Sequence, residues 1–147
     1  MMEELMNSEI VQHLLEGRTI QLSPQGNSMF PFIHGGKDKV LVQRKDKIRL
    51  GNIVLAFHQG KWILHRVYDK DARRITLMGD GNTNGVELVK EGDIYGTVIA
   101  IISPSGRSRK PRKALFWRNT LADRKILLKI VRKWNKLFRK QHNDNTL

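Results

Sequence analysis

Three residues of this sequence have the side-chain types of a hydrolase that acts through an activated serine. Ser28 lies in a turn bounded by Gly26 and Pro31. His65 lies in a largely apolar segment, and Asp80 lies in a glycine-rich loop. A serine hydroxyl becomes nucleophilic when a base accepts its proton, and a third group can orient that base. Each residue also has a structural interpretation, as a turn serine, a core histidine and a turn-capping aspartate.

The segments that carry these residues have the patterns of short β-strands. Apolar residues at helical spacing with two glutamates in the first turn predict a helix over 3–16. From Thr19 onward, β-type segments alternate with turn residues, and Gln59-Gly60 is typical of a hairpin turn. This pattern predicts a mainly β fold with flanking helices, a folded-over antiparallel sheet or partial barrel. Strands are expected at 19–22, 39–43, 53–58, 61–68, 74–78 and 94–102.

Four segments in a fixed order resemble the sequence boxes of the signal peptidase I-like, S24/S26-type serine peptidases. They are Gly26–Pro31, Gly51–Phe57, Leu64–Val67 and Gly79–Asn82. The chain is most similar to the Ser-His, endoplasmic-reticulum-type form, because His65 stands where many members have lysine. Its short architecture looks like that of compact bacterial members. The resemblance implies the β fold of signal peptidases and of SOS-repressor peptidases.

The resemblance also implies a serine endopeptidase that forms an acyl-enzyme. Ser28 matches the nucleophile, His65 the general base and Asp80 the aspartate that supports the base. Glu87 lies near the place of the second aspartate of the reticulum type but is not assigned its role. The expected substrate and oxyanion contacts are the Ser28 backbone, Asn27, Met29 and Pro31. No cofactor and no metal are expected, and the partner is a peptide or protein substrate.

The positive charge of the chain is concentrated at its end. The segment 104–147 holds 14 of the 27 Lys and Arg residues and two of the 14 Asp and Glu residues. A strongly basic segment on a nearly neutral body indicates an anionic partner. The sequence predicts an N-terminal helix over 1–17, a catalytic β domain over 18–103, a linker over 104–111, and a basic amphipathic helix and tail over 112–147.

The basic segment favours an anionic membrane surface over nucleic acid as its partner, and a solvated helix that packs on its own domain is the structural alternative. Its aromatic residues lie on the apolar side of the predicted helix and do not alternate with the cations. The residues expected to contact the membrane are Phe116, Leu127, Val131, Trp134, Phe138, Lys125, Lys129, Arg132, Lys133 and Lys136. With no apolar run of about 20 residues and no signal peptide, the sequence favours a cytoplasmic protein, peripheral on the inner face of the cell membrane.

The sequence is compatible with two other functions and contains one misleading motif. The same fold could act as a catalytically inactive module that binds peptides or docks on membranes. It could also act as a self-cleaving regulator, although no DNA-binding helix pair precedes the β domain. Residues 80–91 match the pattern of an EF-hand calcium loop, but strands rather than helices are predicted on both sides. The pattern is therefore not taken as a calcium site.

Overall fold

The computed structural model describes residues 2–81, 85–114 and Lys133. In this part of the chain, the helix α1 (Met2–Leu15) precedes eight strands, and a 3₁₀ turn at Glu91–Asp93 leads into the seventh. The strands are β1 (Ile20–Leu22), β2 (Lys39–Gln43), β3 (Ile53–His58), β4 (Lys61–Lys70), β5 (Ile75–Met78), β6 (Glu87–Val89), β7 (Ile94–Ile102) and β8 (Ser108–Arg109).

The strands form one antiparallel sheet that curls into a half-barrel. Their order across the sheet is β1-β2-β7-β3-β4-β5-β6, and β8 pairs with β7. β7 is thus inserted between β2 and β3. It joins the pair of strands β1 and β2 to the strands β3 to β6. The predicted fold class, mainly β with a folded-over antiparallel sheet and an N-terminal helix, is confirmed.

Hydrophobic clusters cover both faces of the central strands. Along β3, Ile53 and Leu55 belong to one cluster with Leu14 of α1, and Val54 and Ala56 belong to the other. Alternate residues of a strand point to opposite faces, so a strand covered on both faces has a continuous apolar sequence. Complete burial of a Val, Ile or Leu side chain contributes about 1.5–3 kcal/mol. Packing in these two clusters keeps the strands that carry the candidate site rigid.

The turn between β3 and β4 shows why the residues at its tip have these types. His58 pairs with Lys61, and the two residues between them have φ angles of 50° for Gln59 and 78° for Gly60. Positive φ at both central residues is the requirement of a tight hairpin turn whose twist matches the strands. At the next turn, backbone hydrogen bonds from Arg73 and Arg74 lower the pKa of the Asp71 carboxyl.

Several predicted elements match the structure closely. The strands expected at 39–43, 53–58 and 94–102 coincide with β2, β3 and β7. The short strand β6 was not predicted, and neither was β8, which lies in the segment expected to be a linker. Residues 112–114 are not helical; Lys133 is helical and exposed, and the rest of the predicted basic helix lies outside the described residues. In the described part of the chain, no helix has the length and apolar character needed to cross a bilayer.

Candidate active site

Ser28 begins a compact turn over residues 28–33, here called the serine turn, that is anchored in the hydrophobic core. The N–H groups of Phe32 and Ile33 both donate to the carbonyl oxygen of Met29 at 3.0 Å. The side chains of Met29 and Phe30 are buried, whereas Ser28 is only partly buried. The apolar residues of the turn therefore fix its position and leave Ser28 at the surface.

Two glycines allow other backbone segments to approach this turn. The N–H of Gly81 donates to the carbonyl oxygen of Ser28 at 2.8 Å, and a Cβ at Gly81 would lie 2.3 Å from the carbonyl oxygen of Asn27. A Cβ at Gly35 would lie 1.6 Å from the carbonyl oxygen of Gly26. A side chain at either glycine would collide with the backbone beside Ser28 and displace the turn.

His65 lies on β4 and is paired with a carboxylate from β6. The His65 side chain is buried, and its Nδ1 lies 3.0 Å from Oε2 of Glu87. Glu87 is opposite Leu77, and Leu77 is opposite Val67, two residues beyond His65. Strand alternation therefore places His65 and Glu87 on the same face of the sheet. The carboxylate fixes the orientation of the imidazole ring.

Asp80 forms a buried ion pair with Arg66, the residue that follows His65. Nε and Nη2 of Arg66 donate to the two carboxylate oxygens of Asp80 at 2.8 Å each, and both side chains have zero exposure. The guanidinium carbon also lies 5.1 Å from the ring centre of Phe32 in the serine turn. Asp80 is thus engaged by Arg66, and the carboxylate within hydrogen-bond distance of His65 is that of Glu87.

The remaining guanidinium nitrogen of Arg66 holds two distant backbone segments. Nη1 donates to the carbonyl oxygens of Gly51 and Arg112 at 2.7 Å and of Lys113 at 3.2 Å. A Cβ at Gly51 would lie 2.7 Å from the Lys113 carbonyl oxygen, so these segments are in direct contact. Arg66 therefore ties the serine turn, the loop before β3 and the chain after β8 to one buried group.

Ser28 and His65 line the same cleft, which has a volume of about 550 Å³. It lies between the segment that follows β1 and the outer end of β4, and the other described residues that line it are uncharged. Among the described residues, no hydrogen bond joins the Ser28 hydroxyl to His65. The backbone N–H groups of Ser28 and Met29 donate to no described residue, so they are available to bind a negatively charged oxygen.

The other residues predicted for the site have different positions in it. Met29 lines the cleft, Asn27 is exposed with its carbonyl oxygen accepting from the N–H of Phe30, and Pro31 is partly buried after a cis peptide bond. The predicted membrane contacts other than Lys133 lie outside the described residues. No group of three or more possible metal ligands occurs within the described ranges.

Two residues that organise the site were not assigned by sequence reasoning. Glu87 was noted for its position but not assigned, because β6 was not predicted and its register to β4 was therefore unknown. Arg66 was given no role, although it lies next to His65 in the segment Leu64–Val67. Adjacent residues of a strand point to opposite faces, and this alternation was the signal that could have suggested a separate buried partner for Arg66.

A comparison with models of protein families identifies a match. The family model described as Peptidase S24-like matches residues 6–99, which include most of α1, the strands β1 to β6, the serine turn and most of β7. No curated protein matches the chain. The matched range contains Ser28, His65 and Glu87.

Proposed function

This chain belongs to the peptidase S24-like family, and we propose that it is a serine endopeptidase in which Ser28 is the nucleophile and His65 the general base. The observation that carries the proposal is that both side chains line one cleft while a carboxylate contacts Nδ1 of the histidine. A nucleophile, a base and a group that orients the base are the parts that serine hydrolysis needs.

In the proposed reaction, Nδ1 of His65 donates to Glu87, which leaves Nε2 to accept the proton of Ser28. The Ser28 oxygen attacks the peptide carbonyl carbon, and the oxyanion accepts hydrogen bonds from the backbone N–H groups of Ser28 and Met29. His65 then gives its proton to the leaving amine, and water hydrolyses the acyl-enzyme with His65 again as base. Substrate binding brings the Ser28 hydroxyl and His65 into hydrogen-bond contact, as is common when catalytic contacts tighten in the complex.

We propose that Glu87 replaces Asp80 as the residue that positions the base. Glu87 contacts the imidazole, whereas the two oxygens of Asp80 accept from Arg66. Asp80 then acts on Ser28 indirectly, through the neighbouring Gly81 that donates to the Ser28 carbonyl oxygen. Glu87 thus positions the base, and Asp80 stabilises the backbone beside the nucleophile.

Replacing Glu87 by Gln is expected to lower kcat by about 10²-fold or more, because the amide no longer holds the imidazole in the reactive tautomer. The measurement is the rate of cleavage of a peptide found among the products of the wild-type protein. KM should change little, since Glu87 does not line the cleft. Glu87→Asp should recover part of kcat. Equal loss in both variants, or a loss confined to KM, would contradict a positioning role.

We propose that the substrate is an extended peptide that lies along the cleft by strand addition. Gln21 and Leu22 of β1 form one wall of the cleft, and Ile63 and Leu64 of β4 form the other. An extended peptide between strand edges gains backbone hydrogen bonds without needing charged side chains. The uncharged lining of the cleft favours uncharged residues close to the bond that is cleaved.

We propose further that the protein works at an anionic membrane surface. The chain that leaves β8 carries exposed cations at Lys110, Arg112 and Lys113, and none of them has an acidic partner among the described residues. These cations lead into the segment whose sequence predicts a basic amphipathic helix. Each Lys or Arg near an anionic lipid surface contributes about 1 kcal/mol.

The protein is expected to sediment with vesicles that contain phosphatidylglycerol at low salt, and much less with phosphatidylcholine vesicles. Replacing Lys129, Lys133 and Lys136 together by Gln should weaken this binding at least about tenfold. A matched control replaces three exposed lysines of the β domain, Lys37, Lys39 and Lys61. Equal sedimentation with both lipids would contradict the proposal, and tighter binding to duplex DNA would assign the segment to nucleic acid.

A catalytically inactive peptide-binding module is the second candidate function. The observation in its favour is that no hydrogen bond joins the Ser28 hydroxyl to His65 among the described residues. The two candidates differ in whether Ser28 is needed for new peptide ends to appear.

A further inference from the structure

An apolar groove lies next to the candidate cleft and takes no part in the reaction described above. It has a volume of about 490 Å³ and lies between α1 and the end of the β3–β4 hairpin. Its apolar lining comes from Val11 and Leu15 of α1 and from Phe57, Trp62 and Tyr95 of the sheet. Leu15 is 58% exposed and adjoins the other apolar side chains of the groove, so the groove presents a contiguous apolar surface.

The aromatic floor of the groove is an ordered surface. The rings of Phe57 and Trp62 lie 5.1 Å apart, and those of Trp62 and Tyr95 lie 5.2 Å apart, both edge to face. These contacts fix the orientation of the rings before any ligand binds. A rigid aromatic surface can therefore accept an apolar side chain with little additional loss of side-chain entropy.

The groove is continuous with the cleft through β4. Trp62 lines both, and Ile63, Leu64 and His65 continue along the cleft from it. Pairing between β4 and β5 begins at Arg66, so this part of β4 is an outer edge of the sheet beside the cleft. A strand advances about 3.3 Å per residue, so a peptide paired along this edge passes from His65 to Trp62 over about 10 Å.

We propose that this groove is a second substrate-binding site for a bulky apolar side chain of the substrate. That side chain lies about three to six residues from the cleaved bond, on one side of it, at what is called here the remote position. The inference rests on the proposed peptidase function, since it identifies the substrate by its path from Ser28. A substrate peptide is the occupant because the groove opens into the cleft along a strand edge. The substrate class is therefore a peptide with an uncharged extended segment and a Phe, Leu, Ile or Trp at the remote position.

The first test is cleavage of a peptide library derived from a digested proteome, with the new peptide ends identified by mass spectrometry. The wild-type protein should prefer a bulky apolar residue at the remote position by about tenfold or more in kcat/KM. Leu15→Lys places a charge in the groove and should remove this preference while retaining selectivity next to the cleaved bond. Leu50→Lys is the matched control, because Leu50 is an exposed leucine that lines neither the cleft nor the groove.

The second test does not need turnover. The Ser28→Ala protein is exposed to uncharged twelve-residue peptides with one photo-leucine at each successive position, and the cross-links are mapped by mass spectrometry. Cross-links to residues 11–16, Phe57 and Tyr95 from the remote positions would support the inference. Their loss in Leu15→Lys but not in Leu50→Lys would support it further.

The outcomes separate the groove from the peptidase function. Cleavage by the wild-type protein without a remote preference and without groove cross-links overturns the inference and leaves the peptidase function standing. Groove cross-links without any cleavage overturn the peptidase function and retain the groove as a peptide site. A concentration-dependent dimer that Leu15→Lys abolishes would assign the groove to a second copy of the chain and overturn the inference.

Discussion

Ser28→Ala should abolish the new peptide N-termini that the wild-type protein produces in a membrane-containing lysate. The expected loss is at least about 10³-fold, because removal of the nucleophile leaves only substrate binding and oxyanion contacts. The measurement compares peptide ends by mass spectrometry after incubation with each protein. Ends that depend on Ser28 would also reveal the residues preferred beside the cleaved bond.

Ser23→Ala is the matched control for this experiment, because Ser23 also lines the cleft but belongs to the segment after β1. It should retain most of the activity. Identical sets of peptide ends from the wild-type and Ser28→Ala proteins, both shown to be folded and with vesicles present, would contradict the peptidase proposal. The inactive peptide-binding module would then be the better account of this fold.

Arg66→Met is expected to destabilise the fold by about 3–5 kcal/mol, because it leaves the carboxylate of Asp80 buried without its ionic partner. Asp80 has zero side-chain exposure and receives two hydrogen bonds from Arg66. Arg66→Lys should restore only part of the stability, since an ammonium group cannot reproduce the paired geometry. The measurement is the free energy of unfolding from a denaturant titration.

Arg18→Met is the control, because Arg18 and Glu16 form an ion pair at 3.0 Å whose side chains are 61% and 42% exposed. An exposed pair contributes at most about 1 kcal/mol. The double variant Arg66→Met with Asp80→Leu should be more stable than Arg66→Met alone, since no buried charge remains. A loss below about 1 kcal/mol in Arg66→Met would show that the Arg66–Asp80 pair does not stabilise the native fold.

The strands that sequence reasoning located best are those with long apolar runs and clear turn residues at both ends. β3 and β7 are examples, since each lies between residues that favour turns and is buried on both faces. β6 has only three residues, and its partly exposed Glu87 and exposed Leu88 resemble a loop in sequence. Its strand conformation depends on pairing with β5, which is a tertiary interaction that local patterns do not encode.

The sequence brought Ser28 and His65 together through their resemblance to family segments, and the structure has both in one cleft. The sequence alone could not establish which of the two acidic residues contacts the histidine. Asp80 and Glu87 are separated by seven positions in sequence, and either could reach the histidine until the sheet register is known. The register places Glu87 on the face of His65, while Asp80 meets the residue on the opposite face.

The contact of Arg66 with the carbonyls of Arg112 and Lys113 determines how far a working fragment of this protein must extend. A fragment cut after β7 would remove two of the three carbonyl acceptors of Nη1 and leave a buried cationic group short of hydrogen bonds. Such a deficit costs about 1–3 kcal/mol or more for a charged group. A fragment that keeps the full stability of this fold therefore ends at Lys113 or later, well beyond the last long strand.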